Sequence, residues 1–243
     1  LQNKDTLDTC YGEEVARRFS ATYEQEAATK TRSKTSVSEL KRLQQLQLLE
    51  EPELFVEAAP IQQKEAPRPQ FMQQQTLTAA EIGTAFHAAM QHVPQQGFAS
   101  SADIEPFIQS LITREILTAS EASVLQPEHF ERFFASAIGQ QFQAARRLWR
   151  ELPFTMLVKD DDAADGQIIQ GIIDCVIEQQ DGTLILLDYK TDRIAKSKLQ
   201  QELTRRYEIQ LATYAQALEN ITKATVAQKI IYAVQHGETV VMN

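Results

Sequence analysis

The sequence predicts an α/β fold with a mixed central β-sheet flanked by helices. Three observations carry that expectation. Apolar residues recur at helical spacing from about Thr76 to Arg150. The period then changes from 3.6 to 2, through segments rich in β-formers. Helical spacing returns from about Leu199 to Glu219, and two more short strands follow.

In chain order, residues 1–34 are polar and charged, with a weak apolar stripe (Val15, Phe19, Tyr23) that would pack poorly by itself. They read as the tail of a preceding region. Residues 35–50 read as the opening helix of the domain proper. A hydroxyl at Ser36 or Ser38 can cap exposed N–H groups, and Leu40, Leu43 and Leu46 recur at helical spacing. Residues 51–75 hold Pro52, Pro60, Pro67, Pro69 and a Gln triplet, and read as a linker or long surface loop. Residues 76–243 form the core. Thr78-Ala79-Ala80-Glu81 has the form of a capping box, and Ile82, Phe86, Ala89, Met90 and Val93 then give one apolar face.

From 101 to 150 the pattern suggests three short helices, with breaks near Pro106, Ser120 and Pro127. Leu152–Val158 reads as a strand, followed by an acidic loop with Asp160, Asp161, Asp162 and Asp165. Ile168–Glu178 and Thr183–Lys190 flank Gln180-Asp181-Gly182 and read as a hairpin. The last strands fit Gln228–Val234 and Glu238–Met242, turned at His236-Gly237. No internal repeat is evident.

Of the 243 residues, 33 are acidic and 24 basic, so the formal net charge of -9 argues against a simple polyanion coat. An enzyme that grips nucleic acid locally around a metal remains compatible. Two distant cysteines, Cys10 and Cys175, exclude a disulfide framework, a four-cysteine zinc site and a four-cysteine iron–sulfur cluster within these residues. A reducing, intracellular setting is the default that follows. No apolar run is long enough to span a bilayer. The chain opens at Leu1 without a leader pattern, and it reads as a piece of a longer protein.

Two carboxylates occupy places that propensity does not explain. Asp174 interrupts Ile172-Ile173-Asp174-Cys175-Val176-Ile177, and Asp188 follows Leu184-Ile185-Leu186-Leu187. Asp is depleted in strands, and a buried unpaired charge costs roughly several kcal/mol. Asp188 and Lys190 project from one strand face, about 7 Å apart along the backbone. If the hairpin loop has three residues with Gly182 left-handed, Gln179 pairs with Thr183 and Asp174 lies opposite Asp188, Cβ atoms roughly 5 Å apart. A two-residue Asp-Gly loop would instead put them on opposite faces. Carboxylates that close need a shared cation or proton. Asp174, Asp188 and Lys190 on one face describe a site for a hard divalent cation, Mg²⁺ or Mn²⁺, suited to phosphodiester hydrolysis. The alternative is a metal-free cluster paired with nearby Lys or Arg.

Gly171-Ile172-Ile173-Asp174 followed by Asp188-Tyr189-Lys190-Thr191 resembles the GxxD…DYKT pattern of RecB-type nucleases in the PD-(D/E)xK superfamily. Gly83-Thr84-Ala85-Phe86-His87 resembles that family's upstream histidine motif, and Gln210-Leu211-Ala212-Thr213-Tyr214 its downstream QxxxY motif. All four stand in the family's order. The Ser36–Arg42, Leu77–His87 and Asp188–Arg193 segments are further similar to the nuclease domain of AddA-type helicase–nucleases, over about residues 20–243. No cysteine adjoins the Ser36 segment or follows Tyr214, unlike AddB-type domains, so no iron–sulfur cluster is expected.

The resemblance implies a restriction-endonuclease-like core in which His87, Asp174 and Asp188 ligate Mg²⁺ (or Mn²⁺), with the Tyr189 carbonyl a fourth ligand and Lys190 the catalytic lysine. Gln210 and Tyr214, one helical turn apart, brace the site or meet a phosphate. The resemblance also implies single-stranded DNA, the 3′-terminated strand, as substrate in double-strand-break repair. It implies an AddB-type partner, ATP bound only by a separate helicase region, and a bacterial cytoplasmic, nucleoid-associated setting. Lys196, Lys198, Arg205 and Arg206 are candidates for a DNA backbone contact, or else a solvated helix face. Arg146, Arg147 and Arg150 are weaker candidates beside Trp149, which reads as core. The rival functions are another RecB- or Cas4-like exonuclease and a catalytically silent DNA-binding scaffold.

Overall fold

A computed structural model of the chain describes residues 5–20, 34–40, 42, 77–158 and 167–242. The expected linker at 51–75, the acidic loop and most of the opening helix lie outside these residues. A first helix, α1 (Asp5–Phe19), ties Glu14 to Arg17 and Arg18, while Val15 and Phe19 are exposed, as the weak stripe implied.

Residues 34–36 are a strand where the sequence suggested a helix start. β1 (Lys34–Ser36) lies parallel to β3 (Gln167–Glu178) and buries Thr35. Ser36 serves both structures: it ends the strand, and its Oγ accepts the Glu39 N–H at 3.2 Å, capping the helical turn at 37–40. Three residues of strand leave no periodicity to read.

α2 (Ala79–His92) starts at the expected capping box, with Thr78 and Glu81 satisfying each other's backbone N–H. Four helices follow: α3 (Ile104–Thr113), α4 (Ala119–Ala122), α5 (Pro127–Ala135) and α6 (Ala137–Gln143). Pro106 does not break a helix. It sits in the first turn of α3, where its missing N–H costs nothing. The strand β2 (Arg147–Val158) begins before the expected Leu152, so Arg147 to Arg150 are strand and not helix. Its early residues alternate faces, Leu148 against the α2–α6 side and Trp149 against the opposite core.

β3 and β4 (Leu184–Lys190) form the expected hairpin. Gln179 N–H donates to the Thr183 carbonyl at 2.9 Å and Gly182 has φ +84°, so the loop is the three-residue kind. α7 (Leu199–Thr222) crosses to β5 (Val226–Ala233), parallel to β4, and β6 (Glu238–Met242) returns antiparallel. The sheet order is β1-β3-β4-β5-β6, with β2 along the other edge of β3.

The mixed sheet is therefore a middle layer. On one side α2, α3, α5 and α6 bury Phe86, Phe130, Phe133 and Phe142 against Ile185, Leu187, Tyr189 and Tyr232. On the other, α7 buries Leu203, Leu211, Tyr214 and Leu218 against Ile173, Val176, Leu186 and Ile231. This arrangement satisfies the α/β expectation.

Candidate active site

The site lies where β4 parts from β3. The ladder between them runs from Glu178–Leu184 to Cys175–Leu187 and stops. Continuing that register sets Asp174 across from Asp188, as the hairpin argument required. Asp188, Tyr189 and Lys190 stay pinned to β5 through Ile231, Tyr232 and Ala233. The gap is bridged by side chain: Asp174 Oδ2 accepts the Tyr189 N–H at 3.0 Å.

Asp188 is fully buried. Its Oδ1 accepts from Gln210 Nε2 at 3.1 Å. Its Oδ2 lies 2.5 Å from Lys190 Nζ and takes no aligned hydrogen bond. Burial raises the Asp188 carboxyl to about 6, with Lys190 opposing and Asp174 adding to the rise. Lys190 moves up as well: burial alone would lower it, but Asp188 and Asp174 outweigh that and hold it as an ammonium. Asp174 is held low. Burial opposes this, and the His87 hydrogen bond and charge, the Lys190 charge and the Tyr189 N–H prevail.

His87 enters from α2. Its Nε2 lies 2.9 Å from the Tyr189 carbonyl, which can only accept, and its Nδ1 lies 3.4 Å from Asp174 Oδ2. Burial would depress this imidazole, yet Asp174 raises it overall. A ring that donates one N–H to a carbonyl offers its other nitrogen to a cation. Gly83, one turn earlier, lets α2 approach closely: a Cβ there would stand 3.2 Å from Thr191 Oγ1. Gly171 does the same across the sheet, since a Cβ would meet Phe154 at 2.7 Å and Tyr214 at 3.1 Å.

The sequence reading missed Glu151. Its Oε1 lies 3.9 Å from His87 Nδ1, and the donor atoms of His87, Glu151 and Asp174 all fall within 4.8 Å of one another. Asp188, engaged by Lys190 and Gln210, stands outside that set. In the β2–β3 register Glu151 faces Asp174, between the pairs Arg150–Cys175 and Leu152–Ile173. Its φ is +49°, a left-handed value in a strand. Both strands change face here: Trp149 and Leu152 point to the same core, as do Ile173 and Val176, although each pair is an odd number of residues apart. Burial and the Asp174 charge raise the Glu151 carboxyl, with His87 opposing. The clue was available, for Glu is unfavourable in a strand, but it required starting β2 before residue 151.

The remaining candidates divide. Gln210 meets Asp188 directly and donates to Tyr214 Oη at 3.2 Å, while the Tyr214 ring packs edge-on against Phe154. Lys196 pairs with Glu238, Arg205 with Glu202, and Arg206 with Asp192 and Glu202. Lys198 is exposed. Arg146 and Arg147 pair with Glu178, whereas Arg150 donates to the Gln91 and Val93 carbonyls and closes the end of α2. Trp149 packs against the α7-side core, as expected.

The donor set fits a hard divalent cation: carboxylate oxygens, one imidazole nitrogen and a backbone carbonyl. Glu151 and Asp174 bring like charges together beside a histidine, an arrangement that a cation would relieve.

Comparison with known proteins agrees with this chemistry. Residues 59–241 match the PD-(D/E)XK nuclease superfamily. The chain is 44% identical over 235 residues to the AddA ATP-dependent helicase/nuclease of Lysinibacillus sphaericus, covering 93% of this chain and 19% of that protein. It is 38% identical over 226 residues to the equally named protein of Anoxybacillus flavithermus, covering 92% and 18%, and 34% identical over 238 residues to that of Acetivibrio thermocellus, covering 93% and 18%. The chain thus spans about a fifth of the length of these relatives. With its carboxylate–lysine cluster at the parting of two sheet strands, this chain belongs to the PD-(D/E)XK nuclease superfamily.

Proposed function

We propose that this chain is the metal-dependent nuclease module of an AddA-type helicase–nuclease and that it hydrolyses phosphodiesters of unwound single-stranded DNA. The observation that supports this reading best is the convergence of His87, Glu151 and Asp174 beside the buried Asp188–Lys190 pair. Action on the 3′-terminated strand, a role in double-strand-break repair, an AddB-type partner and a bacterial cytoplasmic, nucleoid-associated setting belong to the same proposal. They rest on the naming of the relatives and the motif resemblance.

His87, Asp174, Asp188, Glu151 and the Tyr189 carbonyl are the groups that would hold Mg²⁺ or Mn²⁺. When bound, such an ion supplies a more acidic water and stabilises charge on a phosphoryl group. Lys190, kept charged by its two carboxylate neighbours, acts as a hydrogen-bond donor that orients the nucleophile and faces the phosphate. It does not accept the proton. Gln210 fixes the rotation of Asp188, and Tyr214 fixes Gln210. Tyr189 locks the strand end, its ring buried against Phe86 and Phe133. Among the described residues no helix is long and apolar enough to cross a membrane.

The test is cleavage of labelled single-stranded DNA with Mg²⁺, Mn²⁺ or EDTA, beside Lys190→Ala and Asp188→Ala. Metal-dependent cutting lost in both variants supports the assignment. Metal binding removed by Asp188→Ala without any cutting would favour a site that depends on a helicase or partner for DNA delivery. Neither cutting nor metal binding would leave only the scaffold role.

A further inference from the structure

Lys190 carries its charge on four rotatable bonds, and the hydrogen bonds of β4 fix only its backbone. One contact from Asp188 leaves the ammonium free to turn about that axis. A second constraint comes from α7. The Tyr207 ring centroid lies 4.6 Å from Lys190 Nζ, within the range of a cation–π interaction. Tyr207 Oη donates to Asp192 Oδ2 at 2.9 Å, and Arg206 Nη1 donates to Asp192 Oδ1 at 3.0 Å. Asp192 follows Lys190 by two residues. The carboxylate that sets the Tyr207 ring therefore also anchors the backbone just beyond the lysine. Tyr207, Gln210 and Tyr214 share one face of α7 at i, i+3 and i+7 spacing. That single face holds Lys190 through the ring of Tyr207 and Asp188 through the amide of Gln210.

We propose that Tyr207, set by Asp192 and Arg206, is a positioning residue for Lys190: its ring face holds the ammonium at the angle at which it meets the nucleophile or phosphate. The assignment rests on the nuclease reading above. Its prediction is that the aromatic ring matters more than the hydroxyl, and that the effect falls on the chemical step and not on metal or DNA binding.

The experiment uses the natural polypeptide that carries this sequence. Single-turnover cleavage of labelled single-stranded DNA is measured at saturating DNA and Mg²⁺ for wild type, Tyr207→Leu, Tyr207→Phe, Asp192→Asn and Lys190→Ala. Tyr207→Leu is expected to slow cleavage about tenfold, the size of an exposed-to-buried cation–π contact, with the half-saturating Mg²⁺ and DNA concentrations unchanged. Tyr207→Phe is expected to stay within about threefold of wild type, and Asp192→Asn to lie between them. Should Tyr207→Leu not fold, Tyr207→Met carries the same test. A wild-type rate in the Leu variant would overturn the proposal. So would equal losses in Leu and Phe that track a fall in thermal midpoint, which is the mark of a purely structural role. Failure of wild type to cut with metal would overturn the nuclease reading, and this assignment with it.

Discussion

Glu151→Gly separates two costs that the structure places on one residue. Glu151 has φ +49°. For a residue with a Cβ the left-handed region costs about 1–2 kcal/mol, whereas glycine adopts it freely. Glycine returns about 0.4–1 kcal/mol of that gain through the entropy of its unfolded chain. Removing the carboxylate also relieves its repulsion from Asp174, discounted because the Glu151 side chain is 28% exposed. The net expectation without metal is a domain more stable by about 1 kcal/mol. With Mg²⁺ the order reverses. Losing one ligand weakens binding about tenfold or more, and each tenfold removes about 1.4 kcal/mol of ligand-linked stability. The assay is urea unfolding in EDTA and in saturating Mg²⁺, with Glu151→Ala as the control that loses the carboxylate but keeps the backbone strain. A glycine variant clearly less stable than wild type in EDTA would refute the strain argument. Equal Mg²⁺ stabilisation of all three proteins would refute the role of Glu151 as a ligand.

Three further outcomes follow from the same geometry. The Asp188 carboxyl, raised to about 6 from an ordinary 3.8, must be ionised to hold a cation, so Mg²⁺ affinity and cleavage fall as pH drops through about 6, read by calorimetric titration on either side of that value. The sign for the metal-free fold is the opposite, since a raised carboxylate favours the folded state when protonated: its stability declines as pH rises from about 3.8 to about 6 and is flat above. Gly171→Ala pushes a Cβ to 2.7 Å from Phe154 and 3.1 Å from Tyr214, and should cost about 1–3 kcal/mol in chemical denaturation, with no loss if those rings have room to move. Because Lys196, Arg205 and Arg206 are already in ion pairs, metal-free binding of single-stranded DNA should show a shallow salt dependence, a log–log slope of about −2 or smaller in magnitude for three phosphate contacts, and a much steeper slope would show that those pairs open to DNA.

Much of this was legible in the sequence, for identifiable reasons. Asp174 and Asp188 stood out because charged residues interrupt runs that a parallel or buried strand requires to be apolar. Gly182 decided the register, since only a three-residue loop needs the left-handed residue at that place, and the register carried Asp174 to its place opposite Asp188. The capping box located α2 and hence the height of His87. What escaped has equally physical causes. β1 is three residues long, too short for any period. Arg147 to Arg150 alternate correctly for a strand, yet they adjoin a helical stretch whose spacing blurs into theirs. With β2 begun too late, Glu151 read as a boundary residue and its unfavourable place inside a strand was invisible. The ion pairs of Lys196, Arg205 and Arg206 join residues distant enough, or partners ordinary enough, that no local pattern announces them.

Three irregularities meet at one point, and the coincidence itself argues for function. β2 and β3 each change face, at Glu151 and at Asp174, without losing their mutual register. A one-residue slip in a single strand would turn apolar side chains toward water. Two strands slipping together keep both cores intact and leave one residue from each, facing each other, that belongs to neither core. Those two residues are both acidic. At the same level β4 leaves β3, so the backbone N–H of Tyr189 turns to a side chain for its partner and its carbonyl turns to His87. Forfeited ladder bonds, a left-handed Glu and juxtaposed carboxylates all oppose folding. Their common feature is that each places an oxygen or an imidazole nitrogen around one small volume. A sheet arranged for stability alone would fill that level with aliphatic side chains. A sheet arranged to hold a divalent cation beside Lys190 needs every one of these departures.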